Sequence, residues 1–203
     1  MKSSLSYITP SEAAQELHQS KFGTHFLVIY QDLFAFREMY SYYVKVALNN
    51  NEIVLILPFY EMTDNVKRIL SEDSACIDVK KHEKEQSLLI MDSLKAYSLK
   101  GGLIPFLEQT VKFTKTSGKN GVTVLADMGS FFYNQKSDGC MHYEMTLPTQ
   151  YEGMNLKGFC IYHKKDYERR FSENDRRKLS NHHGKSLILL PTSRNQLSSI
   201  HKI

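Results

Sequence analysis

Apolar positions in this chain fall into two alternating patterns: short unbroken runs, and stretches where they recur every third or fourth residue. HFLVIY (residues 25–30) and NEIVLILP (51–58) are runs rich in β-branched and aromatic residues, each the length of a buried strand. Between them Phe36, Met39, Tyr40, Tyr43, Val44, Ala47 and Leu48 recur at helical spacing, which predicts a helix with one apolar face. Strand, helix, strand implies parallel pairing through a right-handed crossover, so residues 24–58 read as the β-α-β unit around which the chain is built.

The same alternation continues downstream. Thr63 caps a helix over 64–70 whose Val66, Ile69 and Leu70 face inward. Residues 75–79 read as a short extended piece, and KKHEKEQ, ending at Gln86, reads as a solvated loop before a third strand at 87–92. Gly101-Gly102 breaks the chain, and Pro105 opens a helix with Phe106, Leu107, Val111 and Phe113 on its apolar face, ending near Gly118. GVTVLAD (121–127) is a fourth strand, a helix at 141–147 stops at Pro148, and GFCIYH (158–163) is a fifth strand. SENDRRKLSNH (172–182) is a helix capped by Ser172, with acids early and bases late, and SLILL (186–190) is a last strand. Residues 1–21 hold a short peripheral helix that starts after Thr9-Pro10, and residues 191–203 form a loose polar tail. The expected fold is a three-layer α/β/α sandwich over 22–190, with a mainly parallel sheet of about six strands.

Composition narrows the picture little. A chain of 203 residues with 41% apolar residues is long enough for one domain with a real core. The longest apolar run, 53–60 with a proline inside it, is far shorter than the roughly 20 residues that span a bilayer. The N-terminal stretch has no apolar core of a secretion signal, and Cys76, Cys140 and Cys160 form no C-x-x-C pair, so the expected setting is the cytoplasm.

Chemistry is excluded more readily than it is assigned. A nucleotide-binding β-α-β unit carries glycines where backbone N–H groups approach phosphate, and there is no glycine from Thr24 through Lys100. The lone GK[ST] sequence is Gly184-Lys185-Ser186; its first loop glycine would fall at Leu179, and the chain then enters a strand where a P-loop opens a helix. The expectation is therefore no enzyme and no cofactor. The alternative is magnesium nucleotide held by a weak ATPase: Asp127, after VTVLA, resembles the acidic residue that ends the metal-binding strand of RecA-like proteins, and Glu61 resembles the glutamate that those proteins use to activate water.

In an open α/β sheet, ligands collect beyond the carboxyl ends of the strands. That rule selects Tyr30, Asp32, Tyr60, Glu61, Asp92, Asp127, Met128, Ser130, Tyr162 and His163, and His25 joins them as a strand-opening histidine. Such a set suits a small polar ligand. Cys140-x-His142, Cys160-x-x-His163 and His182-His183 match no standard zinc spacing and read as structural, so no metal site is assigned. Ser130, His163 and Asp92 lack the G-x-S-x-G elbow of a hydrolase. Residues 157–185 are locally basic, and Arg169, Arg170, Arg176, Arg177 and Lys178 are candidates for phosphate or an acidic partner. No nucleic-acid motif accompanies them, so a nucleic-acid-associated regulator is the third reading.

HFLVIYQD, NNNEIVLILP, LLIMDSLKAYSLKGG, VTVLADMGSFF, GFCIYH, RRFSENDRRKL and HHGKSLIL follow one another in an order that resembles the MEDS family, the sensory domain of methanogens, methylotrophs and a dichloromethane-responsive regulator. The resemblance runs over residues 22–190. Two departures stand out: Phe131 occupies the family's tryptophan position in ADMGSFF, and the run HKKDYERR before Phe171 is longer. The resemblance implies a degenerate RecA/KaiC-type core that has lost its phosphate loop. It also implies a sensory or signalling domain in an archaeal or bacterial cytoplasm, without catalytic residues. Its partners would be a small molecule or a signalling protein, with a homo-oligomer as one arrangement.

Overall fold

The computed structural model describes residues 5–72, 75–100, 102–133 and 137–192. In chain order the elements are β1 (Leu5–Ile8), α1 (Pro10–Gln19), β2 (His25–Tyr30), α2 (Leu33–Asn49), β3 (Ile53–Leu57), α3 (Thr63–Glu72), α4 (Val79–Lys84), β4 (Leu88–Ile90) and α5 (Ser93–Tyr97). They continue with α6 (Leu103–Ser117), β5 (Val122–Asp127), α7 (Ser130–Tyr133), α8 (Ser137–Thr146), β6 (Leu156–His163), α9 (Lys164–Arg170), α10 (Glu173–His182) and β7 (Lys185–Leu189).

The strands form one seven-stranded sheet in the order β1-β7-β2-β6-β5-β3-β4, and every pairing is parallel. Alternation along each strand divides the apolar residues between two faces. Val28, Tyr30, Val54, Ile56, Leu125, Phe159 and Ile161 pack with α1, α2, α3 and α4 on one side. Leu27, Ile29, Leu55, Val124, Cys160 and Tyr162 pack with α5, α6, α7, α8, α9 and α10 on the other. The three-layer expectation holds, and the sheet is wholly parallel.

Several local expectations are corrected. β2 and β3 are parallel but do not pair, because β6 and β5 lie between them. The pairing partner of a strand depends on long-range contacts that a β-α-β pattern does not encode. Residues 5–8, expected within the N-terminal peripheral helical segment 1–21, form an edge strand that pairs with β7. So short a segment becomes a strand because β7 offers it an unpaired edge; Leu190 N also donates to Ile8 O at 2.8 Å. The charged run expected as a loop holds α4, whose N-cap Asp78 accepts from Lys81 N. Phe113 is exposed, and Leu103, Leu107, Thr110, Val111 and Thr114 are the buried face of α6. Gly101 and the tail beyond residue 192 lie outside the described residues. Gly118 closes α6 in the left-handed conformation, with φ 68°.

Candidate functional site

At the carboxyl edge, the chain leaves β2 and β3 for helices of one face and leaves β6 and β5 for helices of the other. The connections therefore diverge between β2 and β6 and between β5 and β3, which are the crevices where α/β sheets take ligands. Tyr30, His163, Asp127, Tyr60 and Glu61 sit around them. The Tyr30 ring stacks on Phe36 with centroids 4.6 Å apart and meets His163 edge-on at 5.3 Å. Its hydroxyl is buried and has no hydrogen-bond partner among the described residues. Burial, followed by the charges of Asp127, Glu61 and Asp166 and by Tyr60, pushes that phenol far above the tyrosine range.

Asp127, at the end of β5, is 2% exposed. Burial raises its carboxyl to about 7, against hydrogen bonds from the Gly129, Phe59 and Tyr60 amides that favour the charge. Tyr60 crosses the crevice: its hydroxyl donates to Asp166 of α9, and its ring lies 5.4 Å from that of His163. Glu61 is engaged otherwise. Arg37 clamps it through Nε at 2.8 Å and Nη2 at 2.7 Å, Asn65 donates at 2.7 Å, and Tyr40 donates at 3.3 Å. A cavity of about 10 Å³, room for one water, lies among Tyr40, Tyr60, Glu61 and Asp127. Beside it an open depression of about 610 Å³ is lined by Gln31, His163, Lys164, Lys165, Glu168 and Arg169.

The other expected residues do local work or lie elsewhere. Asp32 caps α2 through Phe34 N, and Asp92 caps α5 through Lys95 N, both at 3.0 Å. Met128 is fully buried and accepts from the Tyr97 hydroxyl. Ser130 Oγ lies 2.9 Å from Ser93 Oγ. His25 opens β2, so about 17 Å of strand separates it from Tyr30, at about 3.3 Å per residue. Tyr162 points to the face opposite Tyr30 and donates to Glu144. In the basic segment Arg176 donates to the carbonyls of Glu168 and Phe171, and Arg177 to Asn174. Arg169 and Lys178 are exposed, and Arg170 is half-buried with its Nε unpartnered among the described residues.

A second polar group, which no sequence motif assembles, lies against the other face of the sheet, at the start of β2. His25, Glu144, Cys160 and His183 are all buried, and one donor atom from each lies within 4.8 Å of the others. His25 Nδ1 is 2.9 Å from Pro148 O and its Nε2 is 3.3 Å from Cys160 Sγ. His183 Nδ1 is 2.8 Å from Leu179 O and its Nε2 is 3.5 Å from Glu144 Oε2. Burial holds both imidazoles down to about 4, so both are neutral at neutral pH, and burial first, then Glu144, holds the Cys160 thiol well above its ordinary range. Cys160 and His163, three residues apart on β6, point to opposite faces and belong to different groups. The sequence marks three of the four, His25 as a strand-opening histidine and Cys160 and His183 within Cys/His pairs of no standard zinc spacing, and it gives no mark to Glu144 and none to their convergence.

No curated protein matches the chain. No helix among the described residues is long and apolar enough to cross a membrane. The family model for the methanogen/methylotroph, DcmR sensory domain, MEDS, matches residues 24–184, which reach from the start of β2 to the start of β7 and take in both polar groups, and the chain belongs to that family.

Proposed function

We propose that this chain is a non-enzymatic sensory or signalling domain of an archaeal or bacterial cytoplasm, and that it takes a small polar ligand at the β2/β6 and β5/β3 crevices. One observation carries the reading: the Tyr30 hydroxyl is buried with no partner among the described residues, within the field of Asp127, whose carboxyl burial raises to about 7. A donor and a protonatable acceptor left in one desolvated place suit a ligand that presents a hydroxyl, amine or carboxyl group. Tyr60, held by Asp166 of α9, couples the crevice to α9 and to the basic depression, through which a signal would reach a partner protein or a second copy of the chain.

Magnesium nucleotide remains the alternative occupant, with Asp127 facing the ion. Glu61 does not support hydrolysis, since Arg37, Asn65 and Tyr40 already hold its carboxylate. The chain would bind without turnover, as a RecA/KaiC-type core without a phosphate loop would.

The deciding measurement is native mass spectrometry of the purified chain, followed by thermal-shift titration with small alcohols, amines, carboxylates and magnesium nucleotides. A bound mass whose stabilisation disappears in Asp127→Asn supports the reading. A nucleotide mass moves it to the alternative. Stabilisation that survives both Asp127→Asn and Tyr30→Phe overturns it.

A further inference from the structure

Four elements far apart in sequence deliver His25, Glu144, Cys160 and His183 to one buried point: the start of β2, α8, the middle of β6, and the turn between α10 and β7. We propose that His25 Nε2, His183 Nε2, Cys160 Sγ and Glu144 Oε2 bind one divalent transition-metal ion of the zinc class. The site lies at the opposite end of β2 from the crevice at Tyr30 and is independent of the reading given above.

The tautomers are set by the backbone. A carbonyl oxygen only accepts, so the Nδ1 atoms that face Pro148 O and Leu179 O carry hydrogens and donate them. Each neutral ring then presents its Nε2 lone pair to the cluster. This is how protein histidines are held for metals, with the second nitrogen fixed by a backbone acceptor. Glu144 is oriented in the same way, because the Tyr162 hydroxyl donates to Oε1 and leaves Oε2 turned toward His183.

What results is acceptor against acceptor. Neither His183 Nε2 nor Glu144 Oε2 has a hydrogen-bond partner of ordinary geometry among the described residues. Both residues are essentially excluded from water, at 2% and 0% exposure. A cation between them removes the conflict. Zinc–nitrogen bonds of about 2.0 Å and zinc–sulfur bonds of about 2.3 Å place tetrahedral ligand atoms roughly 3.3–3.6 Å apart. The His25–Cys160 contact at 3.3 Å and the His183–Glu144 contact at 3.5 Å already have that spacing.

Charge and donor type agree. A thiolate and a carboxylate neutralise a dication, and two neutral imidazoles complete the set, so no net charge is buried. Sulfur and imidazole donors select zinc, cobalt or copper over magnesium and calcium, which need oxygen shells. A cleft of about 390 Å³ at the amino edge of the sheet reaches His25 and Gly184, the neighbour of His183, and gives an ion a way in. Cys140 stays outside the set: its thiol lies 3.5 Å from the Tyr162 hydroxyl.

Cobalt is the probe. The full chain, without a histidine tag, is expressed in cobalt-supplemented medium and its metal content and absorption spectrum are recorded, followed by displacement with zinc. The expected result is one cobalt per chain, the visible bands of a tetrahedral ion and a near-ultraviolet thiolate charge-transfer band. Cys160→Ser abolishes the charge-transfer band, and His183→Ala weakens zinc affinity by about a hundredfold or more. Cys76→Ser and His142→Ala, on exposed residues, leave both readouts unchanged. Should either cluster variant fail to fold, the wild-type spectrum decides alone. A wild-type chain without a charge-transfer band, or with its unloaded mass under native conditions, overturns the proposal and leaves a proton-sharing network. A band that persists in Cys160→Ser or vanishes in Cys76→Ser overturns it equally.

Discussion

Lys157 Nζ lies 3.0 Å from Glu52 Oε1 inside the amino end of the sheet, with the two side chains 3% and 0% exposed. Glu52 precedes β3, Lys157 belongs to β6, and between them stands Thr123 of β5, whose hydroxyl donates to Glu52 Oε2. Tyr43 of α2 then donates to Thr123, since that hydroxyl's proton is already committed. The pair ties three strands and a helix together in a fixed register. Removing one partner leaves a buried charge uncompensated, which costs more than the pair contributes. Lys157→Met is expected to lower unfolding stability by about 3–5 kcal/mol. The Glu52→Gln, Lys157→Met double variant is expected to recover a large part of that loss, both read by urea denaturation.

Asp127 should make the chain less stable as pH rises. Its folded carboxyl titrates at about 7 against an ordinary value of 3.8. Between those values the folded state holds a proton that the unfolded state has released, so stability falls across the window and the cost is complete above about pH 7. At about 1.4 kcal/mol for each tenfold change, the loss is up to about 4 kcal/mol. Asp127→Asn keeps an acceptor for the Gly129 amide and should flatten the profile between pH 4 and 8, as followed by thermal unfolding across that range.

Tyr30→Phe tests whether the orphaned hydroxyl is truly unsatisfied in the ligand-free chain. Deleting a buried polar group that has no partner is neutral or stabilising, by about 1 kcal/mol, whereas deleting one that is hydrogen-bonded costs about that much. A rise in the unfolding midpoint is expected. A fall would mean that water or a retained molecule satisfies the hydroxyl.

Gly129 is where the backbone turn meets the two aromatic residues of the β3–α3 loop. A Cβ there would stand 2.5 Å from Phe59 Cδ1 and 2.6 Å from Tyr60 Cε2. Gly129→Ala should displace both rings, break the contact between Tyr60 and Asp166, and cost about 1–3 kcal/mol. Near-ultraviolet circular dichroism of the tyrosines, together with the unfolding midpoint, would report it.

The elements were largely legible from local pattern. Runs of β-branched and aromatic residues at 25–30, 53–57 and 122–127 have the length and content of buried strands, and helical spacing in 36–48 leaves one apolar face to pack on them. From those two facts, and from the absence of glycine between Thr24 and Lys100, follow the parallel α/β class and the lack of a phosphate loop of the usual kind. Because the strands run parallel, the ends of β2, β5 and β6 put Tyr30, Asp127 and His163 at one edge, whereas Tyr162, one residue earlier on β6, faces the other layer. What needed the tertiary structure was adjacency. β1 pairs along the edge that β7 presents, and β2 stands between β6 and β7 and not beside β3, an order fixed by contacts between strands distant in sequence. Parity on β6 sends Cys160 and His163 to opposite layers, although their spacing looked like a ligand pair. His25 meets Cys160 across 135 residues of chain, and no local pattern encodes a contact that exists only once two distant strands have paired.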